Sequence, residues 1–149
     1  MKRYRQGDVL ITETTEIPDG LKPVPKDHGC VILAYGEVTG HAHRVQGEAE
    51  LFFAGDITEL EERFMRIENE TCRDIDVWKC IRGREITWIP ATVGTARIES
   101  ADFAICGRET VSGLAVTHEE HLPFIVPPGH YRVSRQREYA PEELRTVAD

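Results

Sequence analysis

No apolar run in the 149-residue chain approaches the roughly 18–20 residues that a membrane-spanning helix needs. The basic opening Met1-Lys-Arg-Tyr-Arg5 looks like the start of a secretory leader, but Gln6, Gly7 and Asp8 stand where an apolar segment should follow. The expectation is a soluble protein of the cytoplasm that makes no contact with membrane. An excess of basic residues is also lacking. With 18 Lys and Arg against 26 Asp and Glu, the formal net charge is −8, which repels polyphosphate and disfavours nucleic acid as a partner. Neither Ser112 nor Ser134 sits in a Gly-x-Ser-x-Gly elbow, so no serine nucleophile stands out. Gly36-Glu-Val-Thr-Gly40 has too few glycines for a phosphate loop, and no Gly-Lys-Ser or Gly-Lys-Thr follows it. Internal repeats and low-complexity linkers are missing as well, which predicts a single domain over residues 1–149.

The four cysteines, Cys30, Cys72, Cys80 and Cys106, form no C-x-x-C pair. In a chain without a leader they are expected to be reduced, mostly as small buried hydrophobes. The competing reading, zinc held by Cys72, Cys80 and Cys106, lacks the spacing of about two to four residues common at structural zinc corners.

What the chain does have is 40% hydrophobic and 30% charged residues, a globular balance. At this size roughly 68–70% of the unfolded surface is buried on folding, enough for a real core. Short β-branched and apolar runs recur: Gly7–Thr12, Cys30–Tyr35, Val38–Val45, Asp76–Ile81, Glu85–Ile89, Leu114–Thr117, Phe124–Val126 and Tyr131–Arg135. Thr95–Ile98 and Phe103–Cys106 are weaker strand candidates. Arg82-Gly83-Arg84 reads as a hairpin turn, Pro127-Pro-Gly129 as another turn, and the proline-rich stretch Ile17–Pro25 as a loop. Two segments read as helices. Thr58 and Glu61 have capping-box spacing, and Leu60, Phe64 and Ile67 form a stripe, which predicts a helix over residues 58–69. Pro141 followed by Glu142, Glu143 and Leu144 predicts a short C-terminal helix. The fold class is therefore mainly β, a small antiparallel barrel or sandwich with one inserted helix and a short C-terminal helix.

Histidine placement carries the strongest chemical signal. Four of six histidines fall in two clusters, His41-Ala-His43 and His118-Glu-Glu-His121. Residues i and i+2 of a strand share a face, so His41 and His43 present two imidazoles together. Neutral imidazole is the commonest protein metal donor, and such a set suits iron(II), zinc, nickel or manganese. In a straight strand His118 would share a face with Leu114 and Val116 while His121 pointed away, unless the chain bends near Glu119 or Glu120. The expectation is one divalent metal on His41, His43 and His118, with His121 or a carboxylate completing or supporting the set. Such a site loosens as pH falls through about 6.5, where imidazole gains a proton. The competing reading is bland: a solvated strand face and a polar loop. His28 lies in the proline-rich loop and should be exposed.

Residues 130–139, His-Tyr-Arg-Val-Ser-Arg-Gln-Arg-Glu-Tyr, alternate polar and apolar or basic positions. Arginines 132, 135 and 137 could grip a carboxylate or phosphate, or pair with the chain's abundant acids.

Two resemblances follow from these motifs. A glycine-bearing turn before His41-x-His43, with Pro127-Pro-Gly129-His130 later and Glu48 between, is similar to the cupin arrangement, which implies a barrel with a metal. Tyr4-Arg-Gln-Gly-Asp-Val9, Gly36-Glu-Val-Thr-Gly-His-Ala-His43, His118-Glu-Glu-His121 and Arg135-Gln-Arg-Glu-Tyr139 resemble a family of short bacterial and phage-associated proteins of no assigned function. That resemblance implies that the histidine clusters matter and that a helix-containing stretch of about 51–112 is an insertion.

Two functions fit. One is a metal-binding β-barrel acting on a small-molecule substrate as a dioxygenase, isomerase or hydrolase, with Glu119 or Glu120 as general base. The other is a non-enzymatic accessory or protein-interaction module, homo-oligomeric or bound to a protein partner, with a structural metal or none.

Overall fold

The computed structural model describes residues 2–36, 38–53, 62–135, 137–140 and 143–146, with side chains as far as Arg135. The strands are β1 (Arg3–Gln6), β2 (Val9–Thr14), β3 (Lys22–Pro23), β4 (Val31–Tyr35), β5 (Ala42–Gln46), β6 (Glu50–Phe53) and β7 (Arg63–Ile67). They continue as β8 (Arg73–Arg82), β9 (Glu85–Pro90), β10 (Ala104–Thr117), β11 (Phe124–Val126), β12 (Gly129–Arg135), β13 (Arg137–Ala140) and β14 (Glu143–Thr146). One α-helix, α1 (Thr95–Ser100), and a 3₁₀ turn at Asn69–Thr71 complete the described elements. None of the described helices is long and apolar enough to cross a membrane.

Twelve of the strands form two open antiparallel sheets stacked like a sandwich, and β13 and β14 form a separate hairpin. The first runs β1-β2-β12-β7-β6-β3; the second runs β4-β5-β10-β8-β9, with β11 also paired to β10. Neither order returns to its starting strand, so the barrel alternative gives way to the sandwich. The main core lies between the sheets, where Ile11, Val45, Met65, Val116 and Val126 are buried. A smaller core of Cys80, Ile89, Ile98 and Phe103 forms where α1 packs against the β8–β9 hairpin.

β10 ties the two cores together. Its first part pairs with β8 from Ala104 to Gly113, and its last residues pair with β5 on one edge and β11 on the other. Gly113 stands where β8 gives way to β11. A Cβ there would lie 2.4 Å from the Val126 carbonyl oxygen, so β11 can close against β10 only over a glycine.

Three local expectations are corrected. Residues 63–67 are strand β7, not helix: Met65 and Ile67 are buried and alternate with half-buried Phe64 and Arg66, a period of two. Pairing to β12 and β6 on both sides supplies the hydrogen bonds, and that outweighs the three-and-four spacing of Leu60, Phe64 and Ile67. Thr58 and the rest of 54–61 lie outside the described residues. At the C-terminus, residues 143–146 form β14 and pair with β13, Leu144 opposite Tyr139, instead of a helix. A lone helical turn is too short to offset its own nucleation cost, whereas a hairpin closes its bonds locally. Pro141 and Glu142 lie outside the described residues. Finally, Thr95–Ile98 opens the helix α1, because Ile98 drops into the smaller core and Asp102, at φ 66°, ends the turn.

Candidate functional site

The site grows from the tight end of the β4–β5 hairpin. Gly36 N donates to His41 O at 2.8 Å, and His41 N donates to Val38 O at 3.0 Å, so His41 is fixed just ahead of β5. His43, two residues on, is fully buried. β10 ends at Thr117, with Leu114, Val116 and His118 all buried, and the chain bends through residues 119–121. That bend brings His121 back beside His118.

His118 stands at the centre of the four imidazoles. Its ring centroid lies 4.4 Å from His43, 4.7 Å from His121 and 5.7 Å, edge-on, from His41. His43 and His121 are nearly parallel at 6.2 Å. The floor of the hairpin admits this crowding because residue 36 is glycine. A Cβ there would lie 3.0 Å from His41 Cβ and 3.4 Å from His118 Nε2.

Glu119 locks the bend to β5. Its Oε1 accepts the Ala42 N–H at 2.7 Å and its Oε2 accepts from Arg44 Nη1, while Arg44 Nη2 donates to Gly40 O at 3.1 Å. Desolvation would raise the Glu119 carboxyl, but the Ala42 amide and the Arg44 guanidinium outweigh it and hold the group down at about 2. Glu119 is therefore ionised at neutral pH. Glu120 Oε1 lies 3.5 Å from His41 Nδ1, and the Glu120 N–H donates to His118 Nδ1 at 3.0 Å.

Behind the imidazoles sits a buried polar pair to which the sequence reading assigns no role at the site. Gln6 and Asp8 flank the β1–β2 turn, and both are buried. Gln6 Oε1 is 2.9 Å from His43 Nδ1, Asp8 Oδ1 is 3.7 Å from His43 Nε2, and Arg135 Nε is 3.0 Å from Asp8 Oδ2. The available signal is an i, i+2 pair of polar residues just ahead of the apolar run Val9-Leu-Ile11, within the Tyr4–Val9 motif.

Among the described residues, the group whose donor atoms all lie within 4.8 Å of one another is His41, His118 and Glu119. His43 and His121 flank His118 but are not in that group. Two donors on one ion at bond lengths of about 2.1 Å stand at most about 4.2 Å apart, close to the 4.8 Å limit that bounds this group. The carboxylate oxygens of Glu119 each keep a second lone pair beyond their present bonds.

Other singled-out residues lie elsewhere. His28 is exposed, with its Nδ1 2.6 Å from Asp27 Oδ1. His130 is on β12, opposite Thr14 and Arg66 in the first sheet. Arg132 faces Glu62 at 3.6 Å and Arg135 reaches Asp8, so both of these arginines have acid partners; the side chain of Arg137 lies outside the described residues. The cysteines are free; Cys80 is buried, with its thiol pushed up to about 11 by burial and by Cys106, whereas Cys106 is exposed.

No curated protein and no solved structure matches the chain. Residues 5–72, which carry Gln6, Asp8, His41 and His43 but not the His118–His121 bend, match the family model described as Domain of unknown function (DUF8820).

Proposed function

We propose that the histidine cluster holds one divalent metal ion and that the protein acts there on a small molecule. The observation that carries this reading is the convergence of His41, His118 and Glu119 within 4.8 Å. Nitrogen and carboxylate donors suit iron(II), zinc, nickel or manganese. The group is built to be ready: Glu119 is held ionised, and the Gly36 floor leaves room for two imidazoles to meet. His43 and His121 pack against His118 and would support the ligands, His43 being positioned in turn by Gln6. When bound, such an ion supplies a Lewis acid and an acidified water. Glu119 is occupied by Arg44 and Ala42, so the base role falls to Glu120, beside His41. The expected cytoplasmic location agrees with the free cysteines.

A second reading rests on a specific observation. Because the Glu120 N–H donates to His118 Nδ1, neutral His118 carries its proton on Nε2 in this arrangement. A metal at His118 must displace that bond or move that proton. A metal-free cluster, knitted by hydrogen bonds within a protein-interaction module or homo-oligomer, needs neither change.

Elemental analysis of untagged protein, followed by titration calorimetry with the four metals, separates the two. The metal reading expects about one ion per chain, lost in a folded His41→Ala/His118→Ala variant. Protein that carries no ion and takes up none of the four, with His118 staying protonated on Nε2 by nitrogen NMR, supports the metal-free module instead.

A further inference from the structure

A second feature adjoins the cluster and is absorbed by neither reading. A cavity of about 510 Å³ lies between the β1–β2 turn, the β8–β9 hairpin, α1 and the 118–121 bend. Its size falls within the range of roughly 300–1,000 Å³ typical of small-molecule sites. Three arginines from three separate elements line it: Arg5 from β1, Arg82 from β8 and Arg97 from α1. Against them stand Glu85 and Glu120. The wall is thus net cationic in a chain whose net charge is −8.

The three guanidiniums are not equally engaged. Arg82 lies over the Phe103 ring at 4.3 Å, donates to Ala101 O at 3.2 Å and faces Glu85 at 3.9 Å. It is committed to the wall. Arg97 spends one N–H on His121 O at 3.4 Å, and the Arg5 guanidinium makes no hydrogen bond or ion pair among the described residues. A guanidinium offers five N–H donors in a plane that matches carboxylate or phosphate oxygens. Beside these cations, Phe103, Leu122 and Phe124 supply an apolar wall, and His121 and Glu120 form the side toward the metal-capable group.

We infer that this cavity binds a small organic anion, its carboxylate or phosphate held by Arg5 and Arg97 and its body lying against Phe103 and Leu122. The anion reaches the cluster through His121, whose ring is 4.7 Å from His118. Taking the anion as the substrate rests on the metal reading above; its binding does not.

The test uses the full chain stripped of metal with a chelator and titrated with benzoate, phenyl phosphate and neutral benzamide, followed by amide NMR. Saturable shifts at residues 5–7, 97–103 and 120–124 with benzoate, phenyl phosphate or both, but not with benzamide, are expected. Whichever anion binds identifies the acidic group. Arg5→Gln, an exposed position, should weaken binding about tenfold, as loss of one charge-assisted contact does. Arg97→Gln should do the same with a spectrum still dispersed. Equal binding of benzamide, shifts confined to other surfaces, no saturable shift, or unchanged affinity in a folded Arg5→Gln chain would overturn the proposal. Protein that binds metal but neither anion loses the anion site alone; protein that binds an anion but no metal loses the metal reading alone.

Discussion

Gln6 fixes the tautomer of His43. The Gln6 amide nitrogen donates to Val116 O at 3.2 Å and to Leu122 O at 3.0 Å, both obligate acceptors. Its oxygen must then be the atom 2.9 Å from His43 Nδ1, and that nitrogen must carry the proton. A neutral His43 consequently has its lone pair on Nε2, the nitrogen that faces Asp8.

Replacing Gln6 by Leu should therefore strip three contacts at once, two buried and one partly buried. Two carbonyls and an imidazole N–H lose their partner, and the expected cost is about 2–4 kcal/mol, from roughly 1–3 kcal/mol for each group left unsatisfied and partial relief by water. Denaturant unfolding measures it. A variant as stable as the parent would mean that Gln6 does not hold His43.

Glu119 should contribute stability that disappears in acid. Its folded value of about 2 lies below its ordinary 4.5, so the contribution is complete above pH 4.5 and is lost as pH falls toward 2. The side chain is about a third exposed (34%), which keeps the contribution within about 1 kcal/mol. Glu119→Gln should be less stable than the parent at pH 7, and the two curves should converge between pH 4.5 and pH 2. Parallel curves across that interval would contradict the assignment.

At Gly36 an alanine should act on the site more than on the fold. Its methyl would press His41 Cβ at 3.0 Å and His118 Nε2 at 3.4 Å, with an overpacking cost of about 1–3 kcal/mol. If the cluster binds metal as proposed, Gly36→Ala should lose at least about tenfold in affinity, about 1.4 kcal/mol, while thermal unfolding stays cooperative. Unchanged affinity would place the metal elsewhere.

Tyr4 gives the reverse expectation. Its ring is buried and stacks on Phe124 at 5.6 Å, yet its hydroxyl has no hydrogen-bond partner among the described residues, and burial pushes the phenol up to about 12. Tyr4→Phe keeps the stack and removes the unsatisfied hydroxyl, so stability should hold or rise by up to about 1 kcal/mol. A clear loss in chemical denaturation would show that the hydroxyl is satisfied in solution.

Most of the strand framework was legible because its signals are local. Cys30–Tyr35, Glu85–Ile89, Phe124–Val126 and Tyr131–Arg135 carry their apolar content and turn residues within a few positions, and each became a strand close to its expected bounds. The buried alternation Leu114, Val116, His118 and the bend after it could likewise be read from spacing. Arg63–Ile67 could not. Its apolar residues satisfy a helical and an extended period at once, and only neighbours on both sides, β6 and β12, decide for the strand. The site divides in the same way. The sequence by itself determined that two histidine clusters exist and that His41 and His43 lie two positions apart. Tertiary structure alone decided that His118 is the centre, that Glu119 is clamped by Arg44, and that Gln6 and Asp8 lie behind His43. These contacts join residues from 35 to 75 positions apart, and such distances enter no local pattern. They are fixed by how two sheets close over a common core.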